Sequence, residues 1–183
     1  MTTRVQITFI ISSLIIFTNC TGQDNQSDST YMIEEILKIE DPIQAIIELD
    51  SKLNEISDYG DNLDVLSDAE KVVLFVENLE REVNNGGFHQ FFWNSSGDYA
   101  NETLNALKLI GANKTAEIVS RVYAEWPDSK IPSDRTSRQN ILDKIEEKAE
   151  ETWNNCDTQF FEYEEDISSL LLTYVKANKN EFK

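Results

Sequence analysis

Glycine, proline, cysteine and histidine are all scarce in this sequence of 183 residues, which contains six glycines, three prolines, two cysteines and one histidine. Two cysteines are too few for the disulfide framework that stabilises many small secreted domains. A single histidine, without paired histidine or cysteine spacings, excludes the common zinc motifs. No stretch shows the sustained alternation of apolar and polar residues that predicts a strand. With a hydrophobic content of 40%, these absences predict an all-α protein without a sheet.

Positive charge is also scarce, since 34 acidic residues stand against 16 basic residues and give a formal net charge of −18. Proteins that bind nucleic acid directly need clustered lysine and arginine, so direct nucleic-acid binding is disfavoured. A strong negative charge instead favours binding of basic proteins or cations. Alternatively, the charge only keeps the protein soluble.

The N-terminal apolar stretch is too short to span a bilayer, which needs about 20 residues. Val5–Phe17 has thirteen residues and follows Arg4, as is typical of a signal-peptide core. Cys20 stands just after it, and this arrangement resembles a bacterial lipoprotein signal whose cysteine is acylated. Phe17 and Asn19 depart from the usual residues, so a secretory signal and an uncleaved anchor are the alternatives. We expect the folded part at the bacterial cell envelope, lipid-anchored on its periplasmic or outer-membrane face, or otherwise secreted.

The chain divides into a signal peptide over residues 1–19, a tether over residues 20–30 and one domain over residues 31–183. Residues 21–30 carry no apolar side chain, which is typical of a flexible tether. If Cys20 is acylated, Cys156 has no disulfide partner. Acidic neighbours raise the pKa of the Cys156 thiol, so we expect this side chain to be inert.

The domain is predicted to be a single compact body of six to seven helices, from the helical spacing of its apolar residues and its capping signals. Asp41 precedes a proline at a helix start, Ser67 and Glu70 form a capping box, and Gly111 ends a helix. The predicted helices are Tyr31–Ile39, Pro42–Ile56, Ser67–Val83, Tyr99–Ile110, Lys114–Trp126 with Asn113 as its cap, Asp134 or Ser137 to Trp153, and Thr158–Ala177.

The segment Glu82–Asp98 holds three of the six glycines, four aromatic residues and the only histidine. Asn84-Asn85-Gly86-Gly87 is predicted to end the preceding helix, because asparagine and glycine accept the left-handed conformation. The four rings that follow are predicted to form a short helical turn in the core, since each buries roughly 150–250 Å² when packed. These rings belong to Phe88, Phe91, Phe92 and Trp93. The turn Asn84–Asn94 is therefore expected to pack inside the domain.

The same segment resembles the hallmark of a bacterial domain-of-unknown-function family typified by a dimeric DNA-mimic protein. The resemblance runs without a gap through N-N-G-G-F-x-Q-F-F-x-N-S-S-G-D-Y-A and then through E-T-L-x-A-L-x-x-I-G-A. It covers residues 66–112 and extends more loosely to Phe182. It implies an all-helical fold, a DNA-mimic role and a homodimer as expectations. The hallmark residues singled out as a site are Asn84, Asn85, Gly86, Gly87, Phe88, Gln90, Phe91, Asn94, Ser96 and Gly97.

The amide side chains around the double glycine have two interpretations. Asn84, Asn85, Gln90 and Asn94 either hydrogen-bond the backbone of a tight turn or line a pocket for a small ligand or peptide together with the aromatic rings. The structural interpretation is favoured, because a tight, partly buried turn needs such donors and acceptors.

An acidic face is predicted in the C-terminal third of the chain. Its residues are Glu146, Glu147, Glu150, Glu151, Glu162, Glu164 and Glu165. On a helix, Glu146 and Glu150 stand one turn apart, as do Glu147 and Glu151. A rigid row of carboxylates can imitate the phosphate charges of DNA and occupy the basic surface of a DNA-binding protein. The alternative is an ordinary solvated face.

His89 is the one candidate for acid–base catalysis, with Glu82 or Asp98 as an acidic neighbour. A histidine beside a turn is more often polar surface. Asp58, Asp61 and Asp64 belong to an acidic loop that lacks the alternate-residue spacing of a calcium site. No metal and no cofactor are therefore expected.

These observations favour a non-enzymatic acidic binding module, exported and lipid-anchored, with a basic protein partner. Its first alternative, for the case that the signal prediction is wrong, is a DNA mimic that occupies the basic surface of a DNA-binding protein. Its second alternative is an enzyme that uses His89 with nearby carboxylates.

Overall fold

The computed structural model describes residues 33–182, which fold into seven helices and contain no strand. The helices are α1 (residues 33–36), α2 (Pro42–Ile56), α3 (Asp68–Trp93), α4 (Ala100–Ile110), α5 (Asn113–Ala124), α6 (Arg135–Phe161) and α7 (Ile167–Ala177). The prediction of a single all-α domain is confirmed. The predicted signal peptide, Cys20 and the tether lie outside the described residues. Within residues 33–182, no helix combines the length and the apolarity that crossing a membrane requires.

Three helix ends follow the predicted capping signals. The Asp41 carboxylate accepts a hydrogen bond of 3.1 Å from the backbone N–H of Ile43 at the start of α2. Ser67 and Glu70 exchange hydrogen bonds of 3.2 and 2.7 Å between side chain and backbone, which completes the capping box of α3. Gly111 ends α4 in the left-handed conformation with φ of 85°. The local signals therefore fix where these helices begin and end.

Helix α6 continues past the predicted end at Trp153. Trp153, Cys156 and Phe160 are all buried, and their spacing of three and four residues keeps them on one helical face. Burial of this face stabilises α6 as one continuous helix, although the residues between these three are mostly polar. The predicted last helix from Thr158 is therefore wrong, and α7 begins instead at Ile167.

Helix α3 occupies the centre of the domain, where it packs against α2, α4 and α6. Helix α5 packs against α4 and α6, and α7 packs against α2 and α4. The ring of Phe92 on α3 lies 4.9 Å from the ring of Trp126, 5.5 Å from that of Trp153 and 5.7 Å from that of Tyr123. Such tilted and edge-to-face ring pairs stabilise a core beyond the area that they bury.

Three of the four predicted core rings have no exposed surface, but Trp93 is 42% exposed. Phe88, Phe91 and Phe92 stand at spacings of three and four residues and so share the buried face of α3. His89 and Trp93 are four residues apart on the other face. The prediction that Trp93 packs in the core is therefore wrong.

Candidate functional site

The candidate site is built on a break inside α3. Gly86 has φ of −166° and ψ of 27°, and Gly87 has φ of 69° and ψ of −175°. The conformation of Gly87 is open almost only to glycine. Helix resumes at Phe88, so the predicted end of the helix is a kink between two helical arms. The second arm, residues 88–93, is the predicted aromatic turn.

Asp157 of α6 holds this kink in place. Its Oδ1 atom accepts a hydrogen bond of 2.8 Å from the backbone N–H of Phe88, the first residue after the break. A Cβ atom at Gly87 would lie only 2.3 Å from Oδ2 of Asp157. Burial raises the pKa of Asp157, and the Phe88 N–H partly offsets this effect. The Asp157 carboxylate of α6 thus occupies the space that a side chain at position 87 of α3 would need.

The Glu82 carboxylate gathers the hallmark polar side chains. It accepts hydrogen bonds of 2.8 Å from Gln90 Nε2, 2.8 Å from Asn94 Nδ2 and 3.1 Å from Ser96 Oγ. The amides of Gln90 and Asn94 were expected to bind the backbone of the turn, but they bind this side chain. Their role in the structure is to tie the two arms of α3 to the polar turn that follows.

Arg138 of α6 secures the end of the second arm. Its side chain has no exposed surface, and its hydrogen bonds join two segments that are far apart in sequence. It donates to the carbonyls of Phe92 at 2.7 Å, Asn94 at 2.9 Å, Pro132 at 3.0 Å and Ser133 at 3.1 Å, and to the carboxylate of Asp98. A Cβ atom at Gly97 would lie 2.8 Å from Arg138 Nε, so glycine is required at this position too. The sequence contains no signal that distinguishes Arg138 from Arg135.

An open groove runs over the outer face of the kink between α3 and α6. Two adjoining spaces of about 430 and 600 Å³ share Gly86, His89 and Glu146 as lining residues. The His89 ring stacks on Trp93 at 6.0 Å, and its Nε2 atom lies 3.2 Å from Glu146 Oε2. His89 therefore faces Glu146, not the expected Glu82 or Asp98. The groove is also lined by Asp143, Glu147, Glu150 and Asp157.

The predicted acidic face is divided in the structure. Four of its members lie on α6: Glu146, Glu147, Glu150 and Glu151. The other three, Glu162, Glu164 and Glu165, lie in the segment between α6 and α7. Glu164 forms an ion pair of 2.9 Å with Lys114 at the start of α5.

Glu165 caps the start of α5. It accepts hydrogen bonds from the backbone N–H groups of Lys114 at 3.1 Å and Thr115 at 2.8 Å. Desolvation alone would raise the pKa of Glu165, but the bonds from Thr115 and Lys114 outweigh it and lower the pKa. The predicted cap Asn113 is instead the first residue of α5. Glu165 therefore stabilises the fold and contributes little to an interaction surface.

The remaining hallmark amides differ in their contacts. Asn84 donates a hydrogen bond of 2.6 Å to the Tyr163 hydroxyl, which ties α3 to the segment before α7. Asn85 is exposed. Neither amide lies among the residues that line the groove between α3 and α6.

Groups able to bind metal or attack a substrate are sparse in the described part of the chain. Within residues 33–182, no three His, Cys, Asp or Glu side chains come together in a way that could hold a metal ion. Cys156 is buried, and this burial raises the pKa of its thiol. A thiol that resists ionisation is a poor nucleophile.

Comparison with known proteins gives a family match. A family model described as DMP19-like protein matches residues 64–178, a range that includes the kink, Arg138, Asp157 and the whole groove between α3 and α6. No curated protein and no solved structure matches the chain.

Proposed function

Because this chain belongs to the DMP19-like family, we propose that it is a non-enzymatic binding module that holds a basic segment of a partner protein in the groove between α3 and α6. The observation that carries the proposal is one groove that joins the half-exposed ring of Trp93 to the carboxylates of Glu146, Glu147 and Glu150. A net charge of −18 supports the same class of partner.

The groove offers two kinds of contact that suit arginine. A guanidinium group stacks on the face of a tryptophan ring and forms paired hydrogen bonds with a carboxylate. Trp93 and Glu146 both line one part of the groove, so one arginine side chain can use both when it displaces His89, which stacks on Trp93 and faces Glu146 in the unbound chain.

DNA mimicry is the finer form of this proposal. Glu146 and Glu150 are separated by one turn of α6, as are Glu147 and Glu151, so the carboxylates of each pair stand about 6 Å apart along the helix axis. Such a row resembles a line of phosphates in charge, and it suits the basic surface of a DNA-binding protein. Family membership supports this form, and the partner would then be a protein that also binds DNA.

We place the binding of a basic partner outside the cytoplasm, because residues 1–20 resemble a lipoprotein signal. DNA mimicry instead requires that this signal prediction be wrong, because DNA-binding proteins such as transcription factors lie in the cytoplasm. Metabolic labelling with a fatty acid tests the placement. The native chain should take up label and the Cys20→Ala variant should not. Equal labelling of the two chains, or no labelling of either, would contradict a lipid anchor at Cys20.

The proposed function predicts that capture of a partner depends on the groove. Trp93→Ala should weaken binding by about 2 kcal/mol, which is roughly 30-fold, because aromatic anchors carry much of the energy of an interface. A triple variant with Glu146→Gln, Glu147→Gln and Glu150→Gln should bind more weakly still and should lose most of its salt dependence. Affinity capture with the full chain, followed by titration of the captured protein, measures both effects.

The matched control carries the same change of charge on other faces, with Glu48→Gln, Glu55→Gln and Glu117→Gln. It should bind like the native chain. Equal losses in the two triple variants would mean that only net charge matters, and the groove would have no special role. DNA mimicry requires that excess duplex DNA displace the captured protein from the chain. If duplex DNA does not displace it, the chain binds a basic segment but does not mimic DNA.

His89 as a catalytic base has weaker support. In residues 33–182, Glu146 is the one side chain hydrogen-bonded to it, and both members of the pair are about half exposed. An exposed histidine–carboxylate pair beside a tryptophan fits a binding surface better than a water-excluding active site.

A further inference from the structure

A second groove, separate from the one between α3 and α6, lies between α2, α3 and the start of α7. It encloses about 750 Å³, which is within the usual size range of ligand and side-chain pockets. One wall is apolar: Ile43 and Ile47 are 57% and 52% exposed and stand one turn apart on α2. Ile167 at the start of α7 adds to this wall. Two exposed isoleucines in line on a helix form a contact surface without a partner in the described chain.

The other wall of this groove is acidic. It holds five carboxyl groups and one guanidinium group, which belong to Asp50, Glu77, Glu80, Glu165, Asp166 and Arg81. Arg81 is already engaged, because it pairs with Asp50 and donates to Asn78. Glu165 and Asp166 already cap α5 and α7, so Glu77 and Glu80 are the carboxyl groups of this wall that the described residues leave without an ion pair.

Glu77 and Glu80 are the carboxyl groups least satisfied by the fold. Desolvation by burial is the largest cause that raises the pKa of Glu77 to about 8 and that of Glu80 to about 7. The charges of Glu80 and Asp50 add to this effect at Glu77, whereas a hydrogen bond with Glu77 partly offsets it at Glu80. Glu77 Oε1 is enclosed and accepts no hydrogen bond from an N–H or hydroxyl donor of the described residues. A cationic group in the groove could therefore donate a hydrogen bond to the Glu77 carboxyl, because the described residues supply no donor to its Oε1 atom.

We propose that this groove is a docking surface for an amphipathic basic helix of a partner protein, with its apolar side chains on Ile43 and Ile47 and a lysine ammonium between Glu77 and Glu80. The charge of the groove complements such a helix, and the apolar wall matches its apolar face. A second copy of this chain is a poorer occupant, because a two-fold contact would set these carboxyl groups against each other. The surface is distinct from the groove of the proposed function, so the chain would hold two basic elements at once.

Proton release distinguishes this site from general attraction of opposite charges. An ammonium group beside Glu77 and Glu80 favours their ionised forms and so lowers both pKa values. Docking then releases protons, and affinity must rise with pH between about 6.5 and 8.5, a range in which the lysine stays charged. The titratable groups that face this space are Asp50 on α2, Glu77, Glu80 and Arg81 on α3, and Tyr163, Glu165 and Asp166 before α7.

Fluorescence anisotropy with a synthetic leucine–lysine peptide of about 14 residues, or four helical turns, tests the proposal on the full chain. Two double variants should each bind the peptide about tenfold more weakly: Ile43→Ser with Ile47→Ser, and Glu77→Gln with Glu80→Gln. The Glu77→Gln, Glu80→Gln variant should also lose the rise in affinity with pH. A control with Glu48→Gln and Glu117→Gln, compared near pH 8.5 where it has nearly the same net charge, should bind like the native chain.

Several outcomes would overturn the docking surface. Equal losses in the charge-matched control would show attraction by net charge alone. Affinity that stays constant from pH 6.5 to 8.5 in the native chain would exclude Glu77 and Glu80 as the lysine acceptors. Self-association that the Ile43→Ser, Ile47→Ser variant abolishes would assign the apolar wall to a second copy of this chain. The Glu146→Gln, Glu147→Gln, Glu150→Gln variant should keep the rise in peptide affinity with pH, so failure of the proposed function and failure of this site give different results.

Discussion

Arg138→Met should lower the free energy of unfolding by about 3–5 kcal/mol, the largest effect expected of any single substitution outside the apolar core. The guanidinium has no exposed surface and donates to four backbone carbonyls and to Asp98. Methionine fills similar space but donates nothing, so these acceptors lose their partners in a buried site. Urea denaturation followed by circular dichroism measures the change.

Arg135→Met is the matched control for this prediction. Arg135 lies one turn earlier on α6, is exposed and makes a single bond of 3.3 Å to the Trp93 carbonyl. Its loss should change the free energy of unfolding by no more than about 0.5 kcal/mol. Similar losses in the two variants would contradict the view that Arg138 is the buried support of the kinked arm.

Gly87→Ala should lower the free energy of unfolding by about 3 kcal/mol or more. Its φ of 69° with ψ of −175° strains any residue that carries a Cβ atom, which alone costs about 1–3 kcal/mol. The new Cβ would also push on Asp157, whose Oδ2 lies 2.3 Å from its position, and so weaken the bond from the Phe88 N–H. Thermal or urea unfolding gives the loss directly.

Gly111→Ala separates strain from the clash with Asp157. Gly111 also has a positive φ, of 85°, but no atom lies within 4 Å of a Cβ placed there. Its substitution should lower the free energy of unfolding by about 1 kcal/mol, because the left-handed conformation is strained for alanine but no steric contact is added. A Gly87→Ala loss no greater than the Gly111→Ala loss would mean that Asp157 moves aside freely.

Local signals in the sequence predicted most of the helical frame. Asp41, Ser67 with Glu70, and Gly111 act within four residues of themselves, and all three helix ends are found where these signals place them. The double glycine was also predictive, because its conformational freedom is a property of the residue itself. The family resemblance located the same segment and implied the same fold class.

The side-chain contacts that stabilise the candidate site could not be predicted from local sequence signals. Arg138 meets the Phe92 carbonyl from 46 positions away, and Asp157 meets the Phe88 N–H from 69 positions away. Glu165 looked like part of an acidic surface, yet it caps α5 from 50 positions away. Charge and spacing alone do not show which acids turn inward, because this depends on how the helices pack.

Trp93 shows how a local rule can mislead. Aromatic content predicted that all four rings of the turn are buried, but the second helical arm has two faces and only one meets the core. Phe88, Phe91 and Phe92 take the inner face, and Trp93 lies beside His89 on the outer one. The miss is informative, because a large exposed ring beside a row of carboxylates is the feature on which the proposed function depends.

The central claim is that the groove between α3 and α6, and not overall charge, binds a basic partner. The most direct measurement is the dissociation constant of the captured partner at low and at physiological salt. It compares the native chain, the Glu146→Gln, Glu147→Gln, Glu150→Gln variant and the Glu48→Gln, Glu55→Gln, Glu117→Gln control, which should behave like the native chain. The native complex should weaken steeply with salt, and the variant should bind weakly with little further change. Native-like affinity and native-like salt dependence in the variant would contradict the claim.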